Sequence, residues 1–189
     1  MKYVWWILIS LWSTAAFAAQ HEETLRVVTE PSIPLQYEEK GELRGVAVDI
    51  VRETLSRAGV PWRMYMMPWA RAYKMATTQP DILIFSISRT EQREPLFHWV
   101  GPIVPIEYGL YALRERDDIR VETLTDAMQY RIGVTNQDVR HQYLLSKGFR
   151  EGDTHGLFPV SDQALNYRML FAGRIDLIAM GSMTCLTDK

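Results

Sequence analysis

A two-lobed α/β fold is what this 189-residue chain predicts, and three features carry that reading. From Thr24 to Ile87, apolar strand-like runs alternate with amphipathic helical stretches in the order β-α-β-α-β. That order marks a parallel sheet with right-handed crossovers. The same alternation resumes after about Thr123 and runs to Met180. Between the two halves lies Ile106–Leu113 (IEYGLYAL), a strand-like run that connects them.

The elements follow in order. TLRVVTE (Thr24–Glu30) reads as a buried strand closed by Pro31 and Pro34. GELRG (Gly41–Gly45) reads as a turn. Beyond it Val46, Ile50, Val51, Leu55 and Ala58 recur at helical spacing, with Gly59 as the C-terminal cap. WRMYMM (Trp62–Met67) is a second strand, and Pro68 suits the start of the helix WARAYKMATT. DILIFSI (Asp81–Ile87) is the third strand. In the second half TLTDAMQ predicts a short helix, RIGV (Arg131–Val134) a strand and Val139–Lys147 a helix. GLFPV is a short strand, Asp162–Ala172 a helix capped by Gly173, and IDLIAM (Ile175–Met180) the last strand.

Composition bounds the function. The chain is 47% hydrophobic and 23% charged, as a globular core requires, and its net charge is −2. Basic residues are spread rather than gathered, so no nucleic-acid partner is expected. Residues 1–18 read as a signal peptide: Lys2, the apolar YVWWILISLW, then Ala16-Phe17-Ala18 as a small-x-small cleavage site. Export to the periplasm follows. The one cysteine, Cys185, has no internal partner and reads as a buried small hydrophobe.

In an open α/β sheet, ligands sit beyond the carboxyl ends of the strands. That rule selects Glu30, the region of Trp69, the stretch Ser86–Arg93, and Thr135–Arg140. Ser86, Ser88, Arg89, Thr90 and Arg93 crowd together directly after an apolar run, a set of donors suited to an anion. Arg93 offers a bidentate fork for a carboxylate, with the Ser86 and Ser88 hydroxyls beside it. Glu30 has the charge to receive an ammonium. Trp69, Tyr73 and Trp99 offer aromatic walls. The plainer alternatives are a solvated ion-pair cluster of Arg89 and Arg93 with Glu91 and Glu94, Trp69 as core, and Glu30 as a turn cap. The histidines have no metal-binding spacing. Neither G-x-S-x-G nor G-x-x-x-x-G-K-[ST] occurs, and no cofactor is expected.

LRVVTE, followed by PLQYEEKGELRGVAVDIVRETLSRAG with Gly45 and Asp49 in a G-x-x-x-D-[IL] pattern, resembles the opening of the family 3 extracellular solute-binding proteins. These are polar amino-acid-binding subunits of ABC importers. DILIFSISRTEQREPLFHWVGPI resembles the family's stretch that holds the ligand's α-carboxylate, which puts Ser86, Ser88 and Arg93 on those positions. YRIGVTNQDV and LFAGRIDLIAM resemble its second lobe. The resemblance implies a type II periplasmic binding protein-like fold, with lobe 1 in residues 19–107 and lobe 2 in 108–181. Residues 182–189 would begin a return to lobe 1, which leaves lobe 1 incomplete and the chain apparently truncated. It implies binding of a small polar solute for delivery to an inner-membrane ABC permease, as a monomer if complete; with the strand-end rule, the expected binding residues are Glu30, Trp69, Ser86, Ser88, Arg93, Gln137 and Asp138.

Three departures bear on the ligand. Gln137, Asp138 and Val139 stand where the family has small residues or threonine, and the Asp138 carboxylate would repel an anion unless it turns away or binds an amine itself. Gly181 stands where amino-acid binders often carry an acid. The second hinge strand and terminal helices do not follow. The expected activity is binding, not catalysis. The alternatives are a dehydratase-like periplasmic enzyme on the same lobes, with Glu30 or Asp138 as acid or base, and a truncated copy without function.

Overall fold

A computed structural model describes residues 24–152 and 154–185, with the backbone alone for Thr184 and Cys185. The signal-peptide segment, the last four residues and the Cys185 side chain lie outside that description. Two α/β units are built around separate sheets.

The first sheet has the order β4-β1-β5, all parallel, from β1 (Leu25–Thr29), β4 (Trp62–Met66) and β5 (Ile82–Ile84). Val27 and Val28 in the central strand are fully buried. Where a turn is expected at Gly41–Gly45, the chain makes a hairpin, β2 (Tyr37–Glu39) on β3 (Glu42–Arg44), turning at Lys40-Gly41 with both residues at positive φ. Gly45 then opens α1 (Val46–Ala58) at φ 114°, and a Cβ there would lie 2.3 Å from the Leu35 carbonyl oxygen. Only glycine fits.

Helix α1 buries Ala47, Val48, Val51 and Leu55, and Gly59 caps it in the left-handed conformation. Each large apolar side chain buried this way contributes about 1.5–3 kcal/mol. Val46 and Ile50, expected on the buried face, are exposed, because the helix docks through the neighbouring stripe. Helix α2 (Trp69–Thr78) follows Pro68 and buries Trp69 and Ala72. Strand β5 ends at Ile84, three residues short of the expected run; Ser86, at φ 58°, turns the chain out of extended geometry.

The second sheet has four strands in the spatial order Tyr108–Tyr111, Leu177–Gly181, Arg131–Thr135, Gly156–Val160. Strands β7 (Arg131–Thr135), β8 (Gly156–Val160) and β9 (Leu177–Gly181) are parallel, and β6 (Tyr108–Tyr111) runs antiparallel to β9. Strand β6 is half the expected length, since only Tyr108–Tyr111 find partners on β9. The segment Thr125–Gln129 is a 3-10 turn rather than an α-helix. Helices α3 (Val139–Ser146) and α4 (Gln163–Phe171) are N-capped by the side chains of Asp138 and Asp162. A single turn, α5 (Ser182–Cys185), follows β9 and packs Met183 against the first unit's core beside Ile103, Val104 and Ile106. No helix among the described residues is long and apolar enough to cross a membrane.

Candidate functional site

The carboxyl ends of β1 and β5 and the start of α3 face one another across a cleft between the two units. Its empty space, open solvent included, is about 560 Å³. Six of the seven residues expected at the site line it: Glu30, Trp69, Ser86, Ser88, Arg93 and Asp138. Gln137 does not. Its backbone carbonyl instead accepts a 3.0 Å hydrogen bond from Trp69 Nε1, which ties the two units together at the cleft edge.

Arg93 is buried, with 6% of its surface exposed. Its guanidinium lies 5.1 Å from the ring centroids of both Trp69 and Tyr73, and one nitrogen donates to the Ser88 carbonyl at 3.2 Å. Cation–π contact and that carbonyl fix the plane of the fork and leave donors over. No carboxylate among the described residues pairs with it. Arg89 is the opposite case, an exposed pair with Glu94 at 2.7 Å beneath Trp99.

The two serines are already engaged. Ser86 Oγ donates to Gln36 Oε1 at 2.9 Å, and Ser88 Oγ shares a 2.8 Å hydrogen bond with the Tyr108 hydroxyl. Ser86 and Gln137 (φ 58° and 60°) are two of the described non-glycine residues at positive φ, and both flank the cleft. Such geometry costs about 1–3 kcal/mol and collects at functional sites.

Asp138 lines the cleft with both carboxylate oxygens already engaged. One carboxylate oxygen accepts the His141 amide at 2.8 Å and caps α3, and the other accepts Arg140 Nε at 2.6 Å. Arg140 also donates to the Ala179 carbonyl at 3.2 Å and stacks 5.7 Å from the Tyr108 ring centroid. Arg140, Gln36, Ser32 and Tyr108 are lining residues that sequence reasoning missed. Arg140 stood within the selected strand-end region Thr135–Arg140, which was the one available signal. Nothing local marks Gln36, whose near-total burial depends on a partner 50 residues away.

Glu30 forms no side-chain hydrogen bond or ion pair with the described residues, and burial pushes its carboxyl up to about 7 against the pull of Arg140 and Arg93. Because the folded value lies above the unfolded one, stability is full below about pH 4.5. It falls as pH rises toward 7. Glu30→Gln will flatten that fall, a difference of about 2 kcal/mol once the group's partial exposure is allowed for. Urea unfolding at pH 5 and pH 8 measures it. Trp69→Phe keeps the ring against Arg93 and Tyr73 but deletes the donor to Gln137. A neutral hydrogen bond is worth about 0.5–1.5 kcal/mol, so affinity for a bound solute should drop by about 2–10-fold in titration calorimetry.

The fold has solved counterparts. An ancestral arginine-binding protein bound to arginine superposes with a TM-score of 0.73 at 18% identity, over 86% of this chain and 72% of that one. The holo arginine-binding protein of T. maritima matches with a TM-score of 0.72 at 19% identity, covering 86% and 71%. The arginine-, lysine-, histidine-binding protein ArtJ of Geobacillus stearothermophilus matches with a TM-score of 0.73 at 17% identity, covering 86% and 68%. No curated protein sequence matches the chain. The family model for bacterial extracellular solute-binding proteins, family 3, matches residues 25–183, and the chain belongs to that family.

Proposed function

We propose that the protein binds a small, carboxylate-bearing polar solute in the cleft and delivers it from the periplasm to an ABC permease. One observation carries the reading: a buried guanidinium, held flat by Trp69 and Tyr73, faces a cleft and pairs with no carboxylate of the described chain. An unpaired buried charge is costly, and a ligand carboxylate is the partner that relieves it. Neighbours of the same fold are described as bound to arginine and to glutamine, which makes an amino-acid-like solute the first class to try. On this reading the signal peptide directs export, residues 19–107 and 108–181 form the closing lobes, and the protein works as a monomer that binds without turnover.

Thermal shift against a panel of amino acids and small carboxylic acids tests the proposal, because a ligand specific to the folded state raises its melting temperature by mass action. A shift that appears in the wild type and vanishes in Arg93→Ala supports it. No shift across the panel overturns it. The perturbed Glu30 carboxyl favours a second reading, an acid or base in catalysis. Turnover of a bound solute, abolished by Glu30→Gln, would establish that reading instead.

A further inference from the structure

Four charged side chains line the cleft: Glu30, Arg93, Asp138 and Arg140. Two of them cancel. Asp138 has both oxygens engaged, by the His141 amide and by Arg140, and Arg140 is held in turn by the Ala179 carbonyl. Arg93 and Glu30 remain, neither in a close ion pair with a described residue, with Glu30 in the field of Arg140 and Arg93. The cleft therefore offers one cation and one carboxyl outside close ion pairs, and burial pushes that carboxyl up.

A basic amino acid would bring a carboxylate and two positive groups to this arrangement. Glu30 can meet one of them. The other meets no free acid among the described lining residues, because Asp138 is taken by Arg140, so it is desolvated without a partner. Gly181, the last residue of β9, brings no acid to the wall, and a Cβ there would lie in tight contact, 3.0 Å from Ile106 Cγ2. The remaining wall is neutral. Gln36 is 1% exposed, and its amide oxygen is taken by Ser86. Its amide N–H groups, which donate to no described residue, suit a carbonyl or hydroxyl oxygen on a ligand.

We propose that the cleft selects a carboxylate-bearing solute with an uncharged, oxygen-bearing side chain and rejects basic amino acids, in contrast with the arginine-binding proteins whose fold it shares. The proposal rests on the solute-binding reading above. It is selectivity by an uncompensated charge.

The test is titration calorimetry on the full chain at pH 7 with L-glutamine, L-asparagine, L-serine, L-arginine and L-lysine, repeated on Arg93→Ala. At least one neutral-side-chain solute should bind about tenfold or more tightly than either basic one, with the heat lost in the variant. Arginine or lysine binding as tightly as every neutral solute, with the heat still lost in the variant, overturns the selectivity and leaves the solute-binding reading standing. Binding by none of the five overturns the selectivity. In that case a shift from another carboxylic acid in the thermal panel keeps the broader reading, and silence there ends both.

Discussion

Arg93→Ala will reduce solute affinity by about 100-fold, and Arg93→Lys by about tenfold or more. Each charge-assisted hydrogen bond from a fork to a carboxylate is worth about 1.5–3 kcal/mol, and lysine restores the charge without the paired geometry. Lysine also loses the flat stack against Trp69 and Tyr73, each 5.1 Å from the guanidinium. Arg89→Lys is the matched control, because its partner is the exposed Glu94. An exposed pair contributes little to stability, and Arg89 does not line the cleft. Titration calorimetry on the three variants decides the assignment. Equal losses from Arg89 and Arg93 would place the anion elsewhere.

Asp176→Ala will lower the stability of the second unit by about 3 kcal/mol. Asp176 lies just before β9, 8% exposed, and one oxygen accepts the Arg131 backbone amide at 3.0 Å and Arg131 Nε at 2.9 Å. The other accepts Arg131 Nη2 at 2.8 Å and Arg116 Nη1 at 3.0 Å. One carboxylate thus joins the start of β7, the start of β9 and the loop after β6. Breaking a buried pair costs about 3–5 kcal/mol, and the low end applies because the arginine side chains are about a third exposed. For a chain this size that is a melting-temperature loss of about 6–12 °C.

The pH dependence of the Asp176 effect is signed. The Arg131 hydrogen bonds, with Arg116, hold the carboxyl well below the usual carboxylate range. Its contribution is present in full above the unfolded value near 4 and is lost as pH falls through the folded one. The gap between wild type and variant should therefore hold from pH 7 to about pH 4 and narrow below. Calorimetric scans across that range check it, and a gap that closes by pH 6 would refute the assignment.

Alternation of apolar runs placed the parallel strands, and the strand-end rule brought Glu30, Trp69, Ser86, Ser88, Arg93 and Asp138 to one cleft. What escaped was set by distant partners. The β2–β3 hairpin carries Glu38, Glu39 and Glu42, whose charge hides strand character, and its pairing is visible only in space. Strand β6 has the composition of a longer strand, but its length is fixed by the four residues β9 offers. Asp138 read as a threat to an anion because its sequence neighbours cannot reveal that it serves both a helix cap and Arg140. Gln137 is expected at the site, and the structure places it at the cleft edge, where its carbonyl, on a left-handed backbone, accepts from Trp69 Nε1.

The pairing of β6 with β9 has a mechanical consequence. These are the strands by which the chain enters the second unit and leaves it, and they are bonded along Tyr108–Tyr111, with one further rung at the Ser182 amide and the Glu107 carbonyl, 2.8 Å apart. Two separate tethers would let each unit twist and slide against the other. A laced ribbon cannot shear without breaking its rungs, but it can flex across its thin direction. The joint therefore works like a door leaf on a strap, stiff to torsion and soft to swing. Any such swing would turn about the paired strands at Tyr108 and Gly181, which face each other and both line the cleft.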